Sequence, residues 1–333
     1  MRGHRSIHTM NRRDFISRGS ALAAGALHLH VRAQSAWPTR PIRFVVPFAP
    51  GGSSEIIARS AAGELSKTIG QNVYVENKPG ASGNIAMADV ARSDDQHTII
   101  LGHIGTLAVN PYMYDKLPYD PNRDFKPVSL LAKVPSLYVV NPSLPAKNLR
   151  EFVDLAKQKP GQLTYGSAGN GSAGHLAFEF LKMTANIFVL HVPYKGTGPQ
   201  LTDLIAGRLD AASVGASAII QHIKSGRLRC IATGSSQRLA QLPDVPTVAE
   251  QGYPGFEMTQ WYGILAPSSM AQANIDKLAA ESSRAMHASA TLDHLNNDAA
   301  QSVGGTPAQF AQFIAAEQKR WKVVVERAHI KAE

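Results

Sequence analysis

From Trp37 onward, short runs of branched and aromatic residues alternate with longer helical segments, and Gly-rich joints separate them. Residues 42–47 (IRFVVP), 72–76 (NVYVE) and 98–101 (TIIL) read as strands, with helices expected over 55–69 and 84–91. The alternation continues in a second block, with strands at 137–141, 163–165, 188–192 and 211–214 and helices at 149–159, 174–183 and 200–206. Strands that each lead into a helix bury their apolar faces by stacking as parallel sheets with helices on both sides. The expected fold class is therefore α/β, in two lobes. At 333 residues and 44% hydrophobic content the chain can bury a core of that size, and no internal repeat suggests a solenoid or propeller.

Pro-bearing extended runs mark where the lobes join. VVNPSLPAKN (139–148) is one, and GFEMTQWYGILAP (255–267) is the other. Helices expected over 271–289 and 307–327 follow the second run and return to the first lobe. The expected division is 37–138 plus 262–333 for lobe 1 and 139–261 for lobe 2, with a hinged cleft between them where a small ligand sits.

The formal charge of +9 is concentrated at the N-terminus. Arg2, Arg5, Arg12, Arg13, Arg18 and Arg32 face one acid, Asp14, so the rest of the chain holds 28 basic against 24 acidic residues. Without a run of Lys and Arg or aromatic-basic interleaving, nucleic acid is not an expected partner. The same segment, residues 1–33, has a basic start, a short apolar run over 21–31 and a Val31-x-Ala33 pattern, the features of an export signal removed near Ala33. The run is shorter than the roughly 20 residues of a membrane span. Arg12-Arg13 before Asp14-Phe15-Ile16 resembles a twin-arginine signal; a general secretion signal with two chance arginines is the alternative, and Met1 and Met10 are both candidate starts. Either route leads to the periplasm. The single cysteine, Cys230, lies in the apolar stretch RLRCIATG and reads as core packing.

Two loops carry the candidate chemistry. In PFAPGGSSE (47–55) a strand ends, Gly51 and Gly52 turn the chain, and Ser53 and Ser54 open a helix. In TYGSAGNGSAGH (164–175) the same sequence of events leads into a helix near Ser172. Each offers unpaired backbone N–H groups, hydroxyls and the positive end of a helix, a combination suited to an anion. Gly169, Gly171 and Gly174 match G-x-G-x-x-G, but the next strand ends in His191, Tyr194 and Lys195 with no carboxylate to hold a ribose, so no dinucleotide cofactor is expected. Neither Ser167 nor Ser172 sits in a G-x-S-x-G elbow, and no base-nucleophile pair is evident. His97, His103, His287 and His294 lack ligand spacing for a metal, and DPNRD (120–124) reads as a turn.

The stretches WPTRPIRFVVPFAPGG, VYVENKPGASGNIA, YGSAGNGSAGHLA, HVPYKGTGPQLTDLIAGRLD, HIKSGRLRCIATGSSQR, LPDVPTVAEQGYPGFE and WYGILAP resemble, in order, the Bug family of extracytoplasmic solute receptors. The resemblance implies a two-lobed, type II periplasmic binding protein, a monomer without cofactor. It would bind a small carboxylate and deliver it to the membrane subunits of a tripartite tricarboxylate transporter. Carried over, the ligand-binding positions are Phe48, Ala49, Gly51, Gly52, Ser53, Ser54, Thr106, Ser167, Gly169, Asn170, Gly171, Ser172, His175, Tyr194 and Lys195. The chain departs from the family pattern in three places: Glu55 replaces an Asp, His103 and Ile104 replace small polar residues and could add a titrating group, and Gly215 stands where an acid is common. These departures favour a mono- or dicarboxylate over an amino acid. Two alternatives stay open: a receptor that reports to a membrane sensor kinase, and a hydrolase or isomerase acting on a carboxylate in the same cleft.

Overall fold

The computed structural model describes residues 37–327 and 330–331, so the expected export segment at 1–33 lies outside the described residues. Everything below concerns residues 40–333, which form one compact unit. Its strands are β1 (Ile42–Val46), β2 (Val73–Asn77), β3 (Thr98–His103), β4 (Phe125–Val140), β5 (Thr164–Ser167), β6 (Leu190–Pro193), β7 (Ala211–Gly215), β8 (Arg229–Thr233), β9 (Thr259–Pro267) and β10 (Gln301–Ser302). Its helices are α1 (Ser53–Ile69), α2 (Asn84–Ala91), α3 (Asn110–Met113), α4 (Leu149–Gln158), α5 (Ala173–Ala185), α6 (Thr197–Ile205), α7 (Ala216–Lys224), α8 (Gln272–His287), α9 (Ser289–Asn297) and α10 (Pro307–Arg327).

The helices start and stop where local chemistry directs. Asn148 caps α4 by accepting from Glu151 N–H at 2.9 Å, and the Glu151 carboxylate accepts from Lys147 N–H at 2.7 Å. Gly70 ends α1 in the left-handed region, where glycine carries no steric penalty. The core is continuous and largely aromatic and branched aliphatic, with Tyr138, Phe152, Tyr165 and Phe178 fully buried together.

The strands form one mixed sheet in the order β2-β1-β3-β9-β4-β7-β5-β6, with β8 and β10 also on β4. The parallel pairing expected within each block is present, and two antiparallel strands join the blocks. β1 is parallel to β2 and β3, and β5 to β6 and β7, but β9 and β4 run antiparallel to their neighbours. β9 follows β8 through residues 234–258 without a crossover helix, so nothing obliges it to return parallel. β4 is also far longer than the expected 137–141. Its residues up to Pro135 pair with β9, and from Ser136 onward it pairs with β7. That change of neighbour is the point around which the ends of β3, β7 and β9 gather, with His103 opposite Tyr262 and Ser136 opposite Gly215.

Candidate functional site

A cavity of ≈ 40 Å³ lies at this switch, the place where open α/β sheets hold ligands beyond the carboxyl ends of their strands. By the measure of about 10–15 Å³ for one water, it holds a few water-sized groups. Four helices begin on its walls. Ser53 and Ser54 come from α1, the N-cap Ser172 with Ala173 and Gly174 from α5, Thr197 and Gln200 from α6, and Gly215 directly precedes α7. Each helix brings unpaired N–H groups and a positive end worth about half a unit charge, so the walls favour a negative group. No Asp, Glu, Lys or Arg lines the cavity.

Three buried polar atoms on these walls have no hydrogen-bond partner: Ser53 Oγ, His103 Nε2 and Ser213 Oγ. Ser53 Oγ stands beside the Tyr262 hydroxyl without a bond of ordinary geometry. Buried polar groups are almost always paired, so an orphan cluster facing one space marks a place where a ligand or ordered water supplies the partners. Other wall groups are already held. Tyr262 donates to Gln260 Oε1 at 2.7 Å, and Gln200 donates to the Gly166 carbonyl at 2.9 Å. A larger surface groove of ≈ 480 Å³ along Lys133, Trp261 and Arg320 contains no such orphan.

Of the positions expected from the sequence, Phe48, Ser53, Ser54 and Ser172 line the cavity. Gly169, Asn170, Tyr194 and Lys195 line an outer pocket of ≈ 520 Å³ that shares Phe48 and Ala168 with the cavity. The phenol of Tyr194, burdened by desolvation and by its hydrogen bond to Asp203, is pushed up to about 12. Ala49, Gly51, Gly52, Thr106, Ser167, Gly171 and His175 line neither space.

Several of these have a visible structural task. The Thr106 hydroxyl turns to the His103 carbonyl at 3.3 Å, and Gly171 N–H donates to His175 Nδ1 at 3.1 Å. A Cβ on Gly52 would stand 2.8 Å from Thr197 Oγ1, and one on Gly196 would stand 2.5 Å from Ala49 Cβ. These glycines let the 48–54 and 196–198 segments meet backbone to backbone. The Ser172 hydroxyl accepts from His175 N–H at 3.4 Å, the expected N-cap contact. Glu55 is turned away from the cavity. Its carboxylate accepts from Gly51 N–H at 2.8 Å and pairs with Arg59 at 2.7 Å, so it offers nothing to a ligand's ammonium.

His103 corrects the expectation of a titrating group. Gly105 N–H donates to its Nδ1 at 2.8 Å, which leaves the proton on Nε2, and full burial pushes the imidazole down to about 3. The ring is neutral at physiological pH. Phe48 lies against it, with centroids 4.5 Å apart.

A serine-histidine pair that the sequence reading did not find is present: Ser167 Oγ lies 2.6 Å from His191 Nε2. It is not arranged for catalysis. Ser167 is fully buried, its hydroxyl also bonds the Gly169 backbone, and neither residue lines the cavity or the outer pocket. The His191 ring instead belongs to a column of stacked rings with His175 at 4.2 Å and Tyr165 at 4.8 Å. Among the described residues no three His, Cys, Asp or Glu side chains gather to hold a metal, and no helix is long and apolar enough to cross a membrane. Cys230 is buried, and desolvation pushes its thiol up to about 12, as core packing requires.

Gln200, Ser213, Gln260 and Tyr262 were not anticipated. They reach the cavity from strand and helix positions whose local sequence carries no ligand-binding signal. Gly215 was noticed only as a missing acid; in the fold a side chain there would run into Ser53 Oγ.

Comparison with known proteins gives consistent matches. The pattern of the family described as tripartite tricarboxylate transporter family receptor matches residues 57–330. Protein BugT of Bordetella pertussis is 35% identical over 315 residues, covering 94% of this chain and 96% of BugT. The structure of R. palustris Rpa4515 with adipate is similar with a TM-score of 0.86 and 35% identity, covering 89% of this chain and 99% of that one. MatC from Rhodopseudomonas palustris with bound malate gives a TM-score of 0.83 and 34% identity, covering 87% of this chain and 100% of that one.

Proposed function

Because this chain belongs to the tripartite tricarboxylate transporter receptor family, we propose that it captures a small mono- or dicarboxylate in the cavity at the sheet's switch point and delivers it to the membrane subunits of such a transporter. The family is one of periplasmic solute receptors rather than enzymes, and its fold is that of the periplasmic binding proteins. The observation that carries the ligand class is the uncharged cavity where four helices begin, with unpartnered Ser53, His103 and Ser213 side chains on its walls. A carboxylate supplies acceptors for those donors and a charge complementary to the helix ends. Adipate and malate in the two structural neighbours support the same class.

Two lobes, meeting near residues 138 and 262, close around the acid in this reading. One carboxylate enters the inner cavity, and the remainder of a longer acid extends past Phe48 and Ala168 toward Tyr194 and Lys195. Closure follows from tighter binding to the closed form, without a covalent step. After export, the chain works in the periplasm.

The test is a thermal-shift and calorimetric screen of the purified mature chain against small mono- and dicarboxylates, with nucleotides and sugars as controls. At a ligand concentration of 100 Kd, binding adds about 2.7 kcal/mol, a rise of several degrees in Tm. Saturable one-to-one binding without chemical change of the acid supports the receptor; a shift by a nucleotide and by no acid overturns it.

A further inference from the structure

His103 is the wall residue that distinguishes this cavity. It combines full burial, a polar atom with no partner and a ring that cannot turn away. Gly105 N–H occupies Nδ1, Phe48 packs against the ring, and a Cβ on Gly105 would collide with both the His103 ring and the Gly171 carbonyl. The geometry leaves one feature facing the cavity, a neutral Nε2–H that can donate and cannot accept.

The rest of the wall makes that restriction consequential. With no acidic side chain on the cavity, an ammonium group brought inside would meet helix N-termini of its own sign and no counter-charge. Glu55 is committed to Gly51 and Arg59, and at position 215 a carboxylate has no room beside Ser53. An ionised carboxylate meets the opposite conditions.

We propose that His103 is a specificity-determining residue: its Nε2–H donates to the buried carboxylate of an acid that carries no α-amino group, and the cavity it closes rejects the matching α-amino acid. This rests on the receptor reading above and names the ligand class of the same site. His103 acts on the ligand directly, and Gly105 acts through His103 by holding the ring.

Titration calorimetry at pH 7 tests this with matched pairs, succinate against aspartate and adipate against 2-aminoadipate, on the wild type, His103→Ala and His103→Gln. The wild type is expected to bind the amine-free member of a pair at least a hundredfold more tightly. His103→Ala should weaken carboxylate binding tenfold or more. His103→Gln, which keeps an N–H donor and adds a carbonyl acceptor, should recover most of that loss and narrow the gap to the amino acid. Unfolding midpoints of both variants separate lost contact from lost fold. In ¹⁵N-histidine-labelled wild type, the Nε2 resonance of His103 should show the Nε2–H tautomer and move on addition of the bound acid. If the wild type binds carboxylates while His103→Ala, folded, binds them equally well, the assignment is overturned and the receptor reading survives. The same holds if an α-amino acid binds as tightly as its amine-free partner. If the wild type binds no small carboxylate at all, the receptor reading fails and this assignment with it.

Discussion

Three imidazoles, His103 and His175 buried and His191 half-buried, are kept neutral by their surroundings, and they make the protein sensitive to acid. Desolvation pushes His103 down to about 3 and His175 to about 4; His191 falls to about 3 through desolvation and the neighbouring His175. In the unfolded chain each would titrate near the ordinary value of about 6.5. Below that pH the unfolded state takes up protons that the folded state refuses. The stabilisation these groups confer is therefore complete above about pH 6.5 and is lost as pH falls toward about 3, at up to about 1.4 kcal/mol per pH unit for each fully buried ring. Asp89, Asp95 and Glu76 are held below the ordinary carboxylate range, so their losses come at still lower pH. Urea unfolding at pH 7, 6 and 5 should show a falling midpoint, and His103→Gln should fall less steeply. Parallel curves for wild type and variant would mean that His103 takes up its proton normally in the fold. At this scale the sequence disclosed Ser53, Ser54 and Ser172, because hydroxyls at a strand-to-helix junction are a local pattern. It could not disclose the neutral state of His103, which depends on the Gly105 N–H and on burial by elements far along the chain.

Among the elements, α10 is tied to the sheet by one buried acid. Glu317 Oε2 accepts from Trp261 Nε1 on β9 at 2.8 Å and from Trp321 Nε1 on its own helix at 3.1 Å. Phe310, from the same helix, fills the space above Gly263 so closely that a Cβ there would collide with its ring. Glu317→Leu keeps the apolar contact but strands two buried indole N–H groups, each costing roughly 1–3 kcal/mol. The variant should lose about 2–5 kcal/mol by chemical denaturation, whereas Glu317→Gln, which retains an acceptor, should lose much less. Equal loss in both would show that charge rather than hydrogen bonding holds the helix. Of the expected helices, 84–91 and 307–327 match their observed bounds and the others differ by a few residues, but α3 and α7 were not expected. Nor was the full length of β4. Pro127 and Pro135 interrupt the pattern of a strand, yet the register shifts between Pro127 and Ser129, and Pro135 marks the handover from β9 to β7, positions where a missing N–H is tolerated. α9 was missed because it follows α8 after a single intervening residue, Ala288, where the chain turns extended.

Across the whole molecule, several segments around the cavity approach one another at glycine backbone and through a few hydrogen bonds. Gly51 faces Gly198, Gly196 faces Ala49, and Gly105 faces the Gly171 carbonyl; the Ser82 hydroxyl donates to the Asn170 carbonyl. Glycine contacts of this kind bury little apolar area, so in the proposed reading closure draws on what the ligand adds. The long strand β4, shared by both parts of the sheet, supplies a continuous backbone about which those parts could open. Small-angle scattering should then show the radius of gyration falling when a bound carboxylate reaches saturation. A Cβ on Gly198 would stand 3.0 Å from the Pro50 carbonyl oxygen, so Gly198→Val obstructs the approach without touching the core. That variant should keep its unfolding free energy within about 1 kcal/mol, bind the acid at least tenfold more weakly, and show little change in radius on ligand addition. If the wild type binds without any change in radius and Gly198→Val binds as the wild type does, the cavity is preformed and its ligand enters without closure.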